Sequence, residues 1–465
     1  MAKLSSYDTH YYKKAFFIAL PVALQCLLNN LLNVIDTMML GALSQESLAA
    51  VGLANKVFFV LSLVLCGVAG GATVLTAQYW GQKDLKNVRR VLGLSLCTGT
   101  AVALCFTAVS ALFPTHVMRI FTTDAQTISL GAGYLAIVAL SYPFQAISQC
   151  YTFFHRAVGK VAFTVYITGS AIAVNAFFNY GLIFGKLGFP CLGLQGAAIG
   201  TLIARSYELL AILIYVYAKK TAGAAKPSEL FRFNKHFVKH FFSVAFPVIC
   251  NESVWGIGVT MYSLVYGRMG VVAMASITAT QVIEEMFISF FTGISSGTGV
   301  VLGNELGANR LEDAHRHSKV LLLSTFVFSA TLSLILIAVR RPLMSIFNLT
   351  DEVLRTSCLC VMIFALYLPF KAYNYVNVVG VLRSGGDTKF SLFLDFSGVW
   401  CIGVPLCALG GLCLKLPVYY VYAMALAEEI YKSLLGFFRY RKGIWIRNIV
   451  GTKPENRIAK SDEKC

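Results

Sequence analysis

Charged side chains are scarce in this chain. Only 13% of its 465 residues are Asp, Glu, Lys or Arg, against 57% hydrophobic residues. That balance excludes a soluble globular protein of this length, which has no use for so much apolar surface, and leaves a polytopic membrane protein. Acids are scarcer than bases, 22 against 39, for a net charge of +17. The Lys and Arg residues fall in short loops on alternate sides of the apolar runs, a topology signal that argues against nucleic acid as a partner. The thirteen cysteines are odd in number and scattered, mostly within apolar runs (Cys26, Cys66, Cys97, Cys105, Cys401). They lack the spacing of a disulfide scaffold or a zinc site, and the dipeptide spacing of Cys358 and Cys360 is too thin to count. No H-E-x-x-H, P-loop or C-x-x-C pattern occurs. The seven histidines (His10, His116, His155, His236, His240, His315, His317) sit mainly in loops or near span ends. An enzyme, a bound metal and an organic cofactor are therefore not expected. The start, MAKLSS, has no separate apolar segment with a small-residue cleavage site, so no cleavable signal peptide is expected.

What remains is a series of long apolar runs broken by Gly, Pro and polar punctuation. They predict twelve spans, at 13–40, 48–80, 91–113, 128–154, 162–185, 191–218, 239–266, 272–305, 318–339, 352–381, 390–412 and 416–438. An even number puts both termini on one side. The segments on that side, 81–90, 218–236, 307–317, 383–389 and the tail from Arg439, hold most of the basic residues. The positive-inside rule makes that side cytoplasmic, in a multi-pass protein of the cell's inner membrane. The tail, RYRKGIWIRNIVGTKPENRIAKSDEKC, reads as a basic segment, mobile at its end, that orients the chain or meets anionic lipid.

The chain repeats. IALPVALQ (18–25) matches VAFPVICN (244–251), which sets Pro21 against Pro247 at an offset of 226. At the same offset GQKDLKNV (81–88) matches GANRLEDA (307–314), and one residue out of phase HRAVGK (155–160) matches LRSGGD (382–387). Six spans per repeat is even, so the halves run parallel, as in transporters built from two bundles about an axis along the membrane normal. The expected organisation is an amino-terminal lobe at 1–218, a cytoplasmic linker at 219–238, a carboxy-terminal lobe at 239–440 and a basic tail at 441–465.

Several spans carry residues that cost stability. In the first, Pro21 removes a backbone hydrogen bond and permits a bend. Fifteen residues on lies Asp36, and a carboxylate at membrane depth costs on the order of 2.5–3.5 kcal/mol and usually faces a polar cavity or an ion path. Glu252 follows Pro247 by five residues, near the midplane of span seven. Span eight adds Glu284 and Glu285, about 100° apart on the helix, so at most one shares a direction with Glu252. Asp395, Glu428 and Glu429 are also embedded, with a cation pair or a transport role equally open. Lys56 falls at about the depth of Asp36 and is a candidate charge partner for it. Arg205 and Glu208, three apart, read as a local helical ion pair.

Taken together and in order, these marks resemble the multidrug and toxic compound extrusion (MATE) family, of bacterial type. The resemblance rests on Pro21 with Asp36, AVGLAN after the first loop, Gly-containing ends of spans two and eight, LRSGGDTK after span ten and the two six-span lobes. It covers essentially the whole chain. It implies an all-α fold of twelve transmembrane helices in a V-shaped pair of six-helix bundles. It also implies export of organic cations and drugs in exchange for Na⁺ or H⁺.

On this resemblance Asp36 is the carboxylate of an amino-lobe cation or proton site, with Asn175, Asn179 and Thr201 beside it. Many relatives carry a second acid where Asn179 stands, which leaves Na⁺ against H⁺ open. Glu252 matches a position tied to cation coupling or to substrate. Lys371 falls near where sodium-coupled relatives carry an acid, so it is a second candidate charge partner. Trp255, Phe370, Tyr373 and Tyr375 are candidate aromatic contacts for a cationic substrate. Small organic cations and membrane lipids are the expected partners, and a monomer is the expected state. A lipid-linked oligosaccharide flippase of the same superfamily is the alternative; it calls for a cationic cavity.

Overall fold

The structure, a computed structural model, describes residues 6–347 and 349–451. The first five residues and the tail from 452 onward, including the end read above as mobile, lie outside the described residues.

Twelve long helices follow one another, with no strand among the described residues. They are α1 Ser6–Gly41, α2 Gln45–Gly81, α3 Leu85–Leu112, α4 Ala125–Ala157, α5 Ala162–Phe184 and α6 Gly193–Ala218. The second half gives α7 Lys235–Arg268, α8 Val271–Gly307, α9 Leu311–Ser345, α10 Asp351–Gly385, α11 Thr388–Cys413 and α12 Val418–Arg441. The first eleven are long and apolar enough to cross a membrane. The twelfth has the length, but Glu428, Glu429 and Lys432 interrupt its apolar run. α10 and α11 are distorted by π-helical stretches at Val376–Leu382, Ser397–Gly403 and Leu409–Cys413, a distortion frequent at functional sites.

By packing, the chain forms two units. The amino unit comprises Leu24–Thr76 and Asp84–Ile249; the carboxy unit comprises Cys250–Cys465 with Met1–Ala23 and Ala77–Lys83, as far as these are described. Neither unit is simply one half of the sequence. α1 passes from one unit to the other two residues after Pro21, and α7 does so two residues after Pro247. Both helices are unbroken at their proline.

Close helix contacts explain the exchange. In the amino unit, Gly67 and Gly71 of α2 lie against the backbone of Ile249 and Ala245 on the first half of α7. In the carboxy unit, Gly293 and Gly297 of α8, each 226 residues later, lie against Ala23, Ala19 and Ala15 on the first half of α1. Small residues four apart let two backbones meet, the usual basis of helix association in lipid. A Cβ at any of the four glycines would run into the facing helix.

The amino unit's core gathers Leu61, Leu65, Leu135, Tyr142 and Ala198. The carboxy unit packs Phe291, Phe364 and Leu368 in one cluster and Tyr11, Leu306 and Trp445 in another. Trp445 belongs to the tail, so the start of the tail is docked on this unit. Arg447 Nε donates to Gly385 O at 3.0 Å, Asn448 Nδ2 to Gly307 O at 3.1 Å, and the Ile449 amide to Gln78 Oε1 at 2.8 Å. Residues 442–451 therefore strap the ends of α2, α8 and α10 together. The segment after α6 is also held down. Arg89 on α3 pairs with Glu229 at 2.8 Å and donates to the carbonyls of Ala222 and Ala224. The Glu229 carboxyl is held below the usual carboxylate range, first by the Lys226 amide and then by Arg89.

Candidate functional site

In the amino unit three helices turn polar faces to one cavity of about 450 Å³. α1 contributes Asn29, Asn33 and Asp36, spaced three and four apart and so on one helix face. α5 contributes Thr168 and Asn175, and α6 contributes Thr201, Arg205 and Glu208 by the same periodicity. Asn179, one turn beyond Asn175, donates its Nδ2 to Asp36 Oδ1 at 2.9 Å and to Asn175 Oδ1 at 3.0 Å. Asp36 and the three residues expected around it are therefore neighbours in space. Gly200 makes room for Asn179, since a Cβ there would strike the amide oxygen.

The charges differ from expectation. Lys56 does not meet Asp36. α2 presents Gly52, Asn55 and Phe59 to the cavity, and Lys56, one residue past Asn55, is exposed on another face. Equal depth fixes height along a helix but not direction around it. The cation that acts on Asp36 is Arg205, which also pairs with Glu208 at 3.0 Å, as the spacing of these two predicts. Behind them Glu208 accepts from Thr168 Oγ1 at 3.4 Å, Thr168 from Gln25 Nε2 at 3.0 Å, and Gln25 Oε1 from Arg156 at 3.3 Å.

The carboxy unit holds a second ionic network. Glu252 pairs with Arg383 at 2.8 Å, and Arg383 also donates to Asn251 Oδ1. Asn251 Nδ2 donates to Asp395 at 2.8 Å, and Lys432 lies 3.5 Å from Asp395, 3.4 Å from Glu428 and 3.9 Å from Glu429. Lys371 pairs with Glu284, whose other oxygen accepts from Tyr422 at 2.8 Å. Glu285 is exposed and outside these pairs. Trp255 is 42% exposed, and Tyr373 packs beside the Tyr11–Trp445 cluster, so neither aromatic joins the network. Reading the sequence singled out Glu252, Glu284 and Lys371 but missed Asn251, Arg383 and Lys432. The repeat carried the signal: Asn251 and Gln25 are 226 apart, and Arg383 and Arg156 are 227 apart.

An all-helical membrane protein of two repeat-related units, each with buried charge behind a proline helix, is built as a transporter. The family model MatE matches residues 21–181 and 247–409, two stretches that open on the two prolines, and the chain belongs to this family, the MATE efflux transporters. It is 25% identical over 439 residues to "Uncharacterized transporter YisQ" of Bacillus subtilis, covering 93% of this chain and 94% of that one. It is 26% identical over 448 residues to "Probable multidrug resistance protein NorM" of Thermotoga maritima, covering 95% and 94%. Among solved structures, a multidrug resistance MATE family transporter of the MOP superfamily in an outward-facing conformation matches with TM-score 0.84 at 17% identity, covering 93% of this chain and 95% of that one. A MOP superfamily transporter from Pyrococcus furiosus matches with TM-score 0.81 at 18% identity, over the same shares. These likenesses carry the fold.

Proposed function

We propose that this protein is a secondary active antiporter of the cytoplasmic membrane that exports organic cations in exchange for H⁺. The observation that carries the reading is Asp36, a membrane-embedded carboxylate in a cavity large enough for a small organic molecule, faced by Arg205 and bonded by Asn179. An organic cation and a proton compete for one carboxylate, and that competition couples their movements in opposite directions. A ligand shifts a two-state protein only through unequal affinity for the two states, so protonation acts by changing what Asp36 binds.

Between the two coupling ions, the immediate partners of Asp36 favour the proton. A hard cation such as Na⁺ seeks oxygen ligands, whereas Asn179 gives Asp36 an N–H and the same cavity already holds the Arg205 guanidinium. The cavity holds Asp36 and Glu208 against Arg205, one negative charge in excess, which disfavours a pyrophosphate-bearing flippase substrate. The basic loops support a multi-pass orientation with both termini in the cytoplasm. The reading needs no second copy of the chain, and its surroundings are membrane lipids.

Efflux of a fluorescent organic cation from proteoliposomes, under a pH gradient alone and a Na⁺ gradient alone, tests this. Transport under the pH gradient is expected, with loss of at least about tenfold in Asp36→Asn, the equivalent of roughly 1.4 kcal/mol. Transport by the Na⁺ gradient alone would reverse the choice of ion, and transport under neither would sink the antiport reading.

A further inference from the structure

The hydrogen bonds superpose one half of this chain on the other. In the amino unit the path runs from Gln25, four residues past Pro21, to Thr168 on α5 and Glu208 on α6, with Arg205 three residues before it. In the carboxy unit it runs from Asn251, four residues past Pro247, to Asp395 on α11 and Lys432 on α12, with Glu429 three residues before it. Matched members are 224 to 227 residues apart. The wiring is the same and the charges on the last helix are reversed. Asp36 itself corresponds, at the offset of 226, to Tyr262, whose hydroxyl lies with Glu428 Oε2 beside Gly403.

From this we infer that Asp395, Glu428 and Glu429, gathered around the Lys432 ammonium, form a second proton-binding site in which Glu428 carries the proton. The site is the repeat-mate of the Asp36 cavity and extends the antiport reading without needing it.

Charge balance requires a ligand. The network joins Glu252, Glu284, Asp395, Glu428 and Glu429 to Arg383, Lys371 and Lys432, which leaves two negative charges in excess at membrane depth. Glu428, Glu429 and Lys432 are 6%, 5% and 4% exposed, so water neutralises little of this. Unpaired buried charge is removed most cheaply by protonation.

The donors decide which acid takes the proton. Glu429 accepts from Asn374 Nδ2 at 2.8 Å as well as facing Lys432. Asp395 accepts from Asn251 at 2.8 Å and keeps some exposure. Glu428 has Lys432 at 3.4 Å on Oε1, while its Oε2 is buried with no hydrogen-bond partner. The groups that face it are Tyr262 from α7, Lys371 from α10, Asp395 from α11, and Glu429 and Lys432 from its own helix; Glu284 on α8 stands behind Lys371, and Cys407 on α11 behind Tyr262. Of these, the Tyr262 hydroxyl is the group beside Oε2, and it too is buried without a hydrogen bond of good geometry. A proton on Oε2 makes it a donor toward Tyr262, and on release the carboxylate remains beside the ammonium. Asp395, with its side chain 16% exposed, is the least buried of the three acids.

The infrared carbonyl stretch of protonated carboxylic acid, followed with pH in the purified full-length protein, tests this with neither substrate nor gradient. Its outcome therefore stands apart from the efflux experiment. A band at neutral pH is expected in wild type, surviving in Asp36→Asn, lost in Glu428→Gln and shifted in Glu428→Asp. Should the glutamine variant not fold, the aspartate variant carries the test alone. A band unmoved by either Glu428 variant, or abolished by Asp36→Asn, overturns the second site.

Discussion

The two units solve one geometric problem with opposite charges. Each takes an amide four residues beyond a proline, fastens it with an arginine, Arg156 or Arg383, and leads from it through a second helix to an ion pair on a third. The amino unit keeps this path beside an open cavity and pairs Arg205 with Glu208. The carboxy unit closes it in and surrounds one lysine with three carboxylates. A duplicated scaffold thus fixes where polar groups sit, while single substitutions choose the sign and number of charges and with them the ligand. The residue after the clamped amide shows this most simply: Cys26 in one unit stands where Glu252 stands in the other.

The largest effect is expected from making one unit copy the other. Arg205→Glu alone sets two acids side by side in a mostly buried site, and loss of a buried partner costs about 3–5 kcal/mol. Adding Glu208→Lys restores a pair in the carboxy-unit order. Thermal unfolding of detergent-purified protein should therefore show the single variant strongly destabilised and the double variant largely recovered. Absence of recovery would mean the two sites are not interchangeable in wiring.

A smaller effect is expected from geometry without charge. Gly200→Ala pushes a methyl onto Asn179, and overpacking of this kind costs about 1–3 kcal/mol. Because it displaces the donor to Asp36, pH-driven efflux should fall more than the melting temperature does; a parallel fall in both would assign Asn179 to packing alone.

The smallest effect belongs to the docked linker. Glu229 titrates below the usual carboxylate range, so its hold on Lys226 and Arg89 is present at neutral pH and is lost only as the pH falls through that lowered value. Glu229→Gln should speed proteolytic cleavage within 219–238 at neutral pH and leave efflux unchanged. An altered efflux rate would place the linker in the transport cycle rather than outside it.

Much of this was legible in the residues. Apolar runs predicted every long helix, and most ends extended past them because terminal turns are polar: 13–40 became Ser6–Gly41. Asn175 and Asn179 came out on one face because four residues make about one helical turn. Arg205 and Glu208 were found paired for the same reason. Local spacing failed where contacts depend on which way a neighbouring helix faces. Lys56 lies at a suitable height but on the wrong side of α2, and Lys432 meets Asp395 from a helix whose rotation no local pattern encodes. The exchange of half-helices was hidden too, although Gly67, Gly71, Gly293 and Gly297 carried it in register with the prolines.

That exchange has a consequence for how the protein is made. The carboxy unit contains the first described residues of the chain and nearly its last. At 5–20 residues per second, the first half of α1 waits roughly 10–45 s before the residues from Cys250 onward that share its unit begin to emerge. Trp445 fills its place against Gly385 only after the last long helix has been made. This unit is therefore closed by a segment made after all twelve long helices, one that a truncation at Arg441 would remove while every long helix remained.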